Sequence, residues 1–502
     1  MTSDKQHERM PSGSNENFLY RSDEINEYRK SNSTEWTKNP PGKPYLAYFA
    51  TKNIQFRIPE LESIAKLYEI TFFYEPPTAS ELSTLQTSPY LIIYLPDDES
   101  AKKIASRSIG LHGVFEIWSS ATDYPSLEDS LRSFVDKNHA YVRSMIDDCH
   151  FKFIVKSYGH HYTSAQKVEI INRFSWMYWT GKVDLEHPEQ IFWILEYVDV
   201  NKLSNAPLPR QIWFTRQISR GCRHLVNKYS LSNRKYLGTT SMEAEIAFLS
   251  ANQALARPGS LILDPFVGTG SLIVACAHFR AYTIGTDIDR KVLDGLSADE
   301  CIESNFAQYN LTQQFLGCIQ LDMSFFNALY LGRSRFDAII CDPPYGIRAG
   351  ARKIGVRPQR ELRHKNRGTD PAPIHVNPND PNWLPHVPQC IAYHIEDVLK
   401  DLVELAANLL VLHGRLVYWL PTTKEYSQSD LPTHPCLLLI SDSEQKLTMN
   451  WSRRLITMEK ISDYKPSLSK PNPRHNLPTH ANIAFKVLKD PSRCRKVELS
   501  EE

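Results

Sequence analysis

Two short stretches hold residue types able to do chemistry: Asp342-Pro-Pro-Tyr345 and Asp264-Pro-Phe-Val-Gly-Thr-Gly270. An exocyclic amine on an aromatic ring is a poor nucleophile, because its lone pair is delocalised into the ring. The Asp342 carboxylate and the Pro343 carbonyl, each accepting one N–H, would localise that lone pair and offset charge developing on nitrogen. Pro343 and Pro344 fix the backbone direction that such a grip requires. Tyr345 offers a ring on which the amine-bearing base can stack. The plainer alternative is a Pro-Pro turn closing a strand.

The second stretch reads as a ligand loop. Leu261 to Asp264 is a short apolar run ending in an acid, the pattern of a buried parallel strand. Gly268 and Gly270 follow, then a helical run from Ser271 to His278. A strand, a Gly-rich turn and a helix form the place where open α/β sheets bind nucleotide-like ligands. Ile273 stands where the dinucleotide fingerprint has its third glycine, which weighs against a diphosphate cofactor. A second strand, Ala281 to Thr286, leads to Asp287, placed to grip ribose hydroxyls. A third, Gly317 to Leu321, leads to Asp322, which can accept from an adenine amine, and to Met323, which can pack on the ring. Three strand-end acids around one glycine loop fit a cationic adenosine cofactor, with S-adenosylmethionine the natural candidate. Singly, each acid reads as an ordinary turn residue.

These loops need a sheet to hold them. Arg335 to Cys341 supplies a fourth strand, and the alternation of strands and helices from Leu261 to Asp342 predicts a parallel arrangement. Thr240 to Glu243 reads as a capping box opening a helix that runs to Ala256. Ile391 to Leu412 reads as a long helix and Gly414 to Leu420 as the fifth strand. Leu437–Ile440 and Arg454–Met458 complete the sheet as an antiparallel hairpin. Upstream, strands are predicted at Tyr45–Ala50, Tyr90–Leu95, Val114–Trp118, Phe151–Ser157 and Gln190–Val198. Helices are predicted over Ile58–Tyr68, Ser100–Ser108, Lys137–Asp148 and Gln166–Trp179, giving an α+β accessory region.

The two motifs together resemble the Rossmann-like, S-adenosylmethionine-dependent amino-methyltransferases. That class modifies adenine N6, cytosine N4, guanine N2 or glutamine amides, and the motif pair does not choose among them. The flanking runs Asn233–Glu245 and Tyr345–Lys353 resemble the catalytic-subunit family of tRNA guanosine-10 N2-methyltransferases. The resemblance implies a class I fold with a seven-stranded, mostly parallel sheet, preceded by a ferredoxin-like region and a THUMP RNA-binding domain. It implies cofactor contacts from Thr239, Ser241, Asp264, Phe266, Gly268, Thr269, Gly270, Asp287, Ile288, Asp322, Met323 and Asp342. The catalytic set is Asp342, Pro343, Pro344 and Tyr345, with no metal in the chain. It further implies a small zinc-binding activator subunit, which would carry any zinc.

The organisation expected is a disordered tail over 1–43, the RNA-binding region over 44–212 and a basic linker over 213–240. The methyltransferase domain follows over 241–462, with a mobile basic insertion at 347–390 and a tail over 463–502, in which Ala481–Leu488 could add an edge strand. The net charge is only +1, so RNA binding must come from local patches. Candidates are Lys152, Lys156, Arg220, Arg223, Arg234, Lys235, Arg348, Arg352 and Lys353, each equally readable as solvated surface. Nine scattered cysteines without CxxC spacing argue for reduced thiols in an intracellular, cytoplasmic protein. No run is long and apolar enough for a membrane span. The function expected is methyl transfer to the N2 amine of a tRNA guanosine. The competing readings are another RNA base and a non-catalytic RNA-binding scaffold.

Overall fold

A computed structural model describes residues 40–74, 88–198, 209–325, 334–344, 352–354 and 390–465. Tyr345, Arg348, most of the 347–390 insertion, nearly all of both expected tails and the suggested strand at Ala481–Leu488 lie outside the described residues.

The N-terminal strands are β1 (Lys43–Phe49), β2 (Phe73–Tyr74), β3 (Tyr90–Leu95), β4 (Leu111–Ala121), β5 (Phe151–Tyr158), β6 (Gln190–Val198) and β7 (Pro209–Arg220). They form one continuous sheet in the order β2-β3-β1-β4-β7-β6-β5. Helices α1 (Arg57–Leu67), α2 (Asp98–Arg107), α3 (Tyr124–Lys137), α4 (His139–Ile146) and α5 (Ser164–Asn172) accompany these strands. One face of the sheet buries Tyr45, Ala47, Phe49 and Ile93 with α1 and α2, and Phe192, Ile194, Ile212 and Phe214 with α3, α4 and α5. Period-two alternation puts Leu46, Tyr90, Phe115, Leu195, Tyr197 and Trp213 on the other face.

The basic linker expected at 213–240 is corrected at its start. Pro209–Arg220 is strand β7, paired with β4 on one side and β6 on the other. Arg216 is buried there, its Nε donating to Glu116 at 2.8 Å and its Nη2 to Asp98 at 3.0 Å. Buried charges persist when paired and hydrogen-bonded, so Arg216 is part of the fold and not an RNA-facing charge. The helix expected over Lys137–Asp148 is α4, and a further helix not read from the sequence, α3, precedes it and meets it at Asn138. The one expected over Gln166–Trp179 ends at Asn172 and continues as a 3-10 turn at Ser175–Met177.

The second sheet is built from β8 (Leu261–Asp264), β9 (Tyr282–Asp287), β10 (Phe315–Gln320), β11 (Phe336–Cys341), β14 (Leu410–Thr423), β15 (Leu437–Lys446) and β16 (Trp451–Lys460). Between β11 and β14, β12 (Arg352–Ile354) and β13 (Cys390–Ala392) make a separate two-stranded ribbon. The main sheet runs β10-β9-β8-β11-β14-β16-β15. Its first five strands are parallel, β16 runs antiparallel to β14, and β15, antiparallel to β16, runs with the first five again. This is the expected class I methyltransferase sheet. Helices α6 (Ala244–Gln253), α7 (Ser271–His278), α8 (Ile302–Gln308) and α9 (Ile395–Leu409) accompany it.

Helix α6 is buried along its whole length, and its polar residues Glu245, Ser250, Asn252 and Gln253 each find hydrogen-bond partners inside the fold. It starts at Ala244, and Glu243 caps it without a side-chain bond, so the capping box read at Thr240–Glu243 does not form. Helix α9 starts at Ile395, because the preceding residues of the expected helix form β13.

The two sheets meet across α1 and α6. Glu60, fully buried on α1, accepts from Ser108 Oγ, the Ile109 and Gly110 amides and Asn252 Nδ2 of α6. Glu459 of β16, also fully buried, accepts from Lys66 Nζ at 2.7 Å and from Arg415 Nε at 3.2 Å. These pairings fix the N-terminal sheet against the sheet that carries the chemistry.

Candidate active site

The sheet reverses its order of travel between β8 and β11, and open α/β sheets bind ligands in the crevice at such a point. Asp264 ends β8, and Asp342 and Pro343 directly follow β11. Their side chains lie close enough that the Asp342 charge is felt at Asp264. Burial, reinforced by Asp287 and Asp342, pushes the Asp264 carboxyl well above the ordinary carboxylate range. Burial also raises Asp287, against the N–H groups of Asp289 and Gly268 that favour its ionised form. Buried carboxyl groups raised in one crevice favour a cationic ligand, whose charge offsets the cost of ionising them.

Every turn of the glycine loop is tied down. The Phe266 N–H donates to Asp264 Oδ1 at 3.0 Å and the Gly268 N–H to Asp287 Oδ2 at 3.0 Å. Val267 N–H donates to the Thr286 carbonyl at 2.9 Å. Gly285 lets the loop sit this close to β9, since a Cβ there would lie 2.6 Å from Val267 Cγ2. Gly268 has φ +50°, and a Cβ added to it would meet nothing within 4 Å. The loop thus leaves open space on the side where a ligand backbone would approach. These features fit an adenosine cofactor with a positive charge: a carboxylate at the end of β9 for hydroxyl groups, a bare glycine surface, and acids for the cation.

Asp322 and Met323 lie past β10, both buried. Asp322 Oδ1 accepts from the Ser324 N–H at 2.9 Å and its Oγ at 2.8 Å. Ile288 and Phe266 are half-buried at the crevice, and Thr269 and Gly270 are buried beneath it. Ser241 and Thr269 share a hydroxyl hydrogen bond of 2.7 Å, while Thr239 is exposed in the preceding turn. Cys341 is fully buried, and burial together with Asp264 and Asp342 pushes its thiol well up, which disqualifies it as a nucleophile.

The residues named as RNA contacts separate. Lys156, Arg220 and Lys235 are exposed. Lys152 is half-buried and donates to the Leu185 carbonyl at 3.2 Å. Arg223 donates to the Ile109 carbonyl at 2.9 Å and to Glu245 at 3.2 Å. Lys353 is half-buried with its Nζ 4.8 Å over the Tyr393 ring, and Arg352 lies in β12.

Arg234 is a correction. It is 5% exposed and its Nη1 donates to Ser271 Oγ at 2.6 Å, at the start of α7. The same hydroxyl accepts the Met242 N–H at 3.1 Å, so Arg234 latches the 234–242 segment to the cofactor loop. The reading of the sequence also missed Asn305, whose Nδ2 donates to the Tyr236 carbonyl at 2.9 Å and the Thr269 carbonyl at 3.3 Å. Nothing in its helical context distinguishes it from any polar residue.

Residues 43–223 match the Tmrp11 THUMP N-terminal domain, and residues 232–357 match the RMKL-like methyltransferase domain. The tRNA (guanine(10)-N(2))-methyltransferase TRMT11 of Dictyostelium discoideum is 40% identical over 442 residues, covering 84% of this chain and 83% of its own. The Homo sapiens TRMT11 is 36% identical over 434 residues, covering 84% and 89%. Among solved structures, TrmN from Thermus thermophilus aligns over 83% of this chain and 100% of its own, at 16% identity and a TM-score of 0.39. With two close relatives matched over most of both chains, this chain belongs to the tRNA (guanine(10)-N(2))-methyltransferase family.

Proposed function

We propose that this chain is the catalytic subunit that methylates the N2 amine of guanosine 10 in tRNA. The observation that carries the reading is the placement of Asp342 beside Asp264 at the sheet's switch point, in a chain of this family.

Asp287 at the end of β9 and the bare face of Gly268 would hold the adenosine of S-adenosylmethionine, with Asp322 and Met323 on the adenine side. When bound, that cofactor supplies an electrophilic methyl group. Asp342 and the Pro343 carbonyl accept the two N–H bonds of the amine and orient its lone pair. Tyr345, next in sequence, is assigned to stack on the guanine. Positioning of this kind can supply much of the barrier reduction, because two bound reactants no longer need to find each other.

A cleft of about 320 Å³ on the N-terminal sheet supports tRNA binding there. It is lined by Tyr48, His112, Tyr158, Lys156 and His161. Aromatic rings beside a cation suit bases and phosphates of unpaired RNA. Lys156 is the candidate phosphate contact this cleft favours.

The reading includes a small zinc-binding activator subunit as partner and a cytoplasmic setting. Strand β10 ends the sheet and exposes Leu316 at 55% and Ile319 at 50%, an edge suited to strand addition by such a partner. Cys149, Cys222, Cys276, Cys301, Cys318, Cys341 and Cys436 are free thiols, in keeping with a reducing compartment.

The test is transfer from labelled S-adenosylmethionine into unmodified tRNA, with nucleoside analysis, with and without the activator. N2-methylguanosine at position 10 is the expected product, formed in quantity only with both subunits. Label in N6-methyladenosine would move the acceptor to another base. Absence of both label and cofactor binding would leave an RNA-binding scaffold.

A further inference from the structure

The ribbon β12–β13 is the first described structure after Pro344. Tyr393 follows β13 directly and is 5% exposed. Its ring packs in the same core as Met323, Val398 and Leu399. Its hydroxyl donates to Asp401 Oδ2 on α9. Lys353 of β12 holds its ammonium 4.8 Å over the ring. Its charge also favours the ionised form of Asp401, which burial otherwise pushes up. Asp322 acts electrostatically on both Tyr393 and Asp401, and α9 packs against the turn Met323–Phe325. One aromatic side chain therefore bonds to Asp401 on α9 and lies under Lys353 of β12, and α9 in turn packs against the turn that carries Met323.

We infer that Tyr393, held by Asp401, is a positioning residue that couples the adenine side of the cofactor pocket to the acceptor side. This rests on the assignment of Asp322 and Met323 to the adenine. A ligand that fixes the Asp322–Met323 turn fixes Tyr393, and with it Lys353 and the ribbon downstream of Asp342. Ordering the ribbon in advance lowers what tRNA binding must spend on it, so each ligand tightens the other. Such coupling is reciprocal: the factor by which tRNA tightens the cofactor equals the factor by which the cofactor tightens tRNA.

The test measures S-adenosylhomocysteine affinity for the full chain with and without unmodified tRNA, in the wild type, Tyr393→Phe and Asp401→Ala. The phenylalanine keeps the ring in the core that also holds Met323 and removes only the hydroxyl donor, and a thermal melt checks folding. The wild type should show coupling of about fivefold or more. Both variants should bring the factor close to one, while their affinity for S-adenosylhomocysteine without tRNA stays within about twofold of wild type. A wild-type factor of one, or full coupling in both variants, overturns the inference. So does an equal loss of affinity with and without tRNA, which is what a merely structural residue would give. Asp322→Ala separates the premise: unchanged S-adenosylhomocysteine affinity in that variant would sink the adenine assignment itself.

Discussion

Asn252 Nδ2 donates to Glu60 Oε1 at 2.8 Å across the seam between the two sheets. Asn252 Oδ1 meanwhile accepts from Arg107 Nε at 2.9 Å. One amide thus satisfies a carboxylate and a guanidinium that are both buried. Asn252→Ala leaves each of them short of a partner. The expected loss is about 1–3 kcal/mol of stability for each buried group left unsatisfied, read by denaturant unfolding. An unchanged midpoint would show that the seam relaxes around the gap.

Asp264 gives a stability prediction with a definite sign. Its carboxyl is raised in the folded chain, so the folded state holds its proton to a higher pH than the unfolded state does. The favourable contribution is present below the unfolded pKa. It is lost as pH rises through the ordinary carboxylate range towards the folded value. Asp264→Asn, which can still accept the Phe266 N–H, should therefore melt at a higher temperature than wild type near neutral pH. The difference should vanish in acid. Cofactor affinity of the wild type should rise with pH over the same window and that of the variant should rise less, as isothermal titration at several pH values would show.

Gly268 has φ +50° and open space where a side chain would go. Gly268→Ala should cost about 1 kcal/mol of stability from backbone strain. Its larger effect should be on cofactor binding, because the new methyl group enters the ligand's side of the loop. A variant that binds S-adenosylhomocysteine normally would place the cofactor elsewhere.

Arg234 and Lys156 should separate under salt. Lys156 is exposed beside the aromatic cleft, so Lys156→Ala should weaken tRNA binding and lower the salt slope by about 1. Arg234 is buried against Ser271, so Arg234→Ala should destabilise the chain and weaken cofactor binding, with the salt slope unchanged. Fluorescence titration of tRNA across a salt series distinguishes the two.

The parts legible in the sequence were those whose physics is local. Leu261–Asp264 and Arg335–Cys341 announce buried parallel strands because both of their faces must be apolar. An acid or glycine at the end of such a strand is visible for the same reason. What could not be read depended on partners far away in the chain. Arg216 looked like a linker charge because its partners, Asp98 and Glu116, lie on other elements. Arg234 looked like surface because Ser271 covers it only in the fold. Thr240 to Glu243 has the composition of a capping box, yet Ser241 is drawn instead to Thr269 and the Gly238 N–H, and the helix starts later. Tyr393 carries no signal at all, since a lone tyrosine before a helix reveals nothing of Lys353 or Asp401.

Asp342 is the residue on which the amine grip depends. Asp342→Ala should retain S-adenosylhomocysteine binding within a few-fold and lose about 10²–10³ in single-turnover rate, the scale of removing one preorganised partner of developing charge. A variant with the wild-type rate would remove Asp342 from the chemistry.

Methylation at the N2 amine of guanosine 10 can be tested by removing that amine alone. The most direct measurement compares an unmodified tRNA with the same transcript carrying inosine at position 10, which lacks only that amine. Both should bind with similar affinity, and only the guanosine transcript should accept label, as N2-methylguanosine. Label entering the inosine transcript at an equal rate would contradict methylation at N2, because the acceptor would then be another atom.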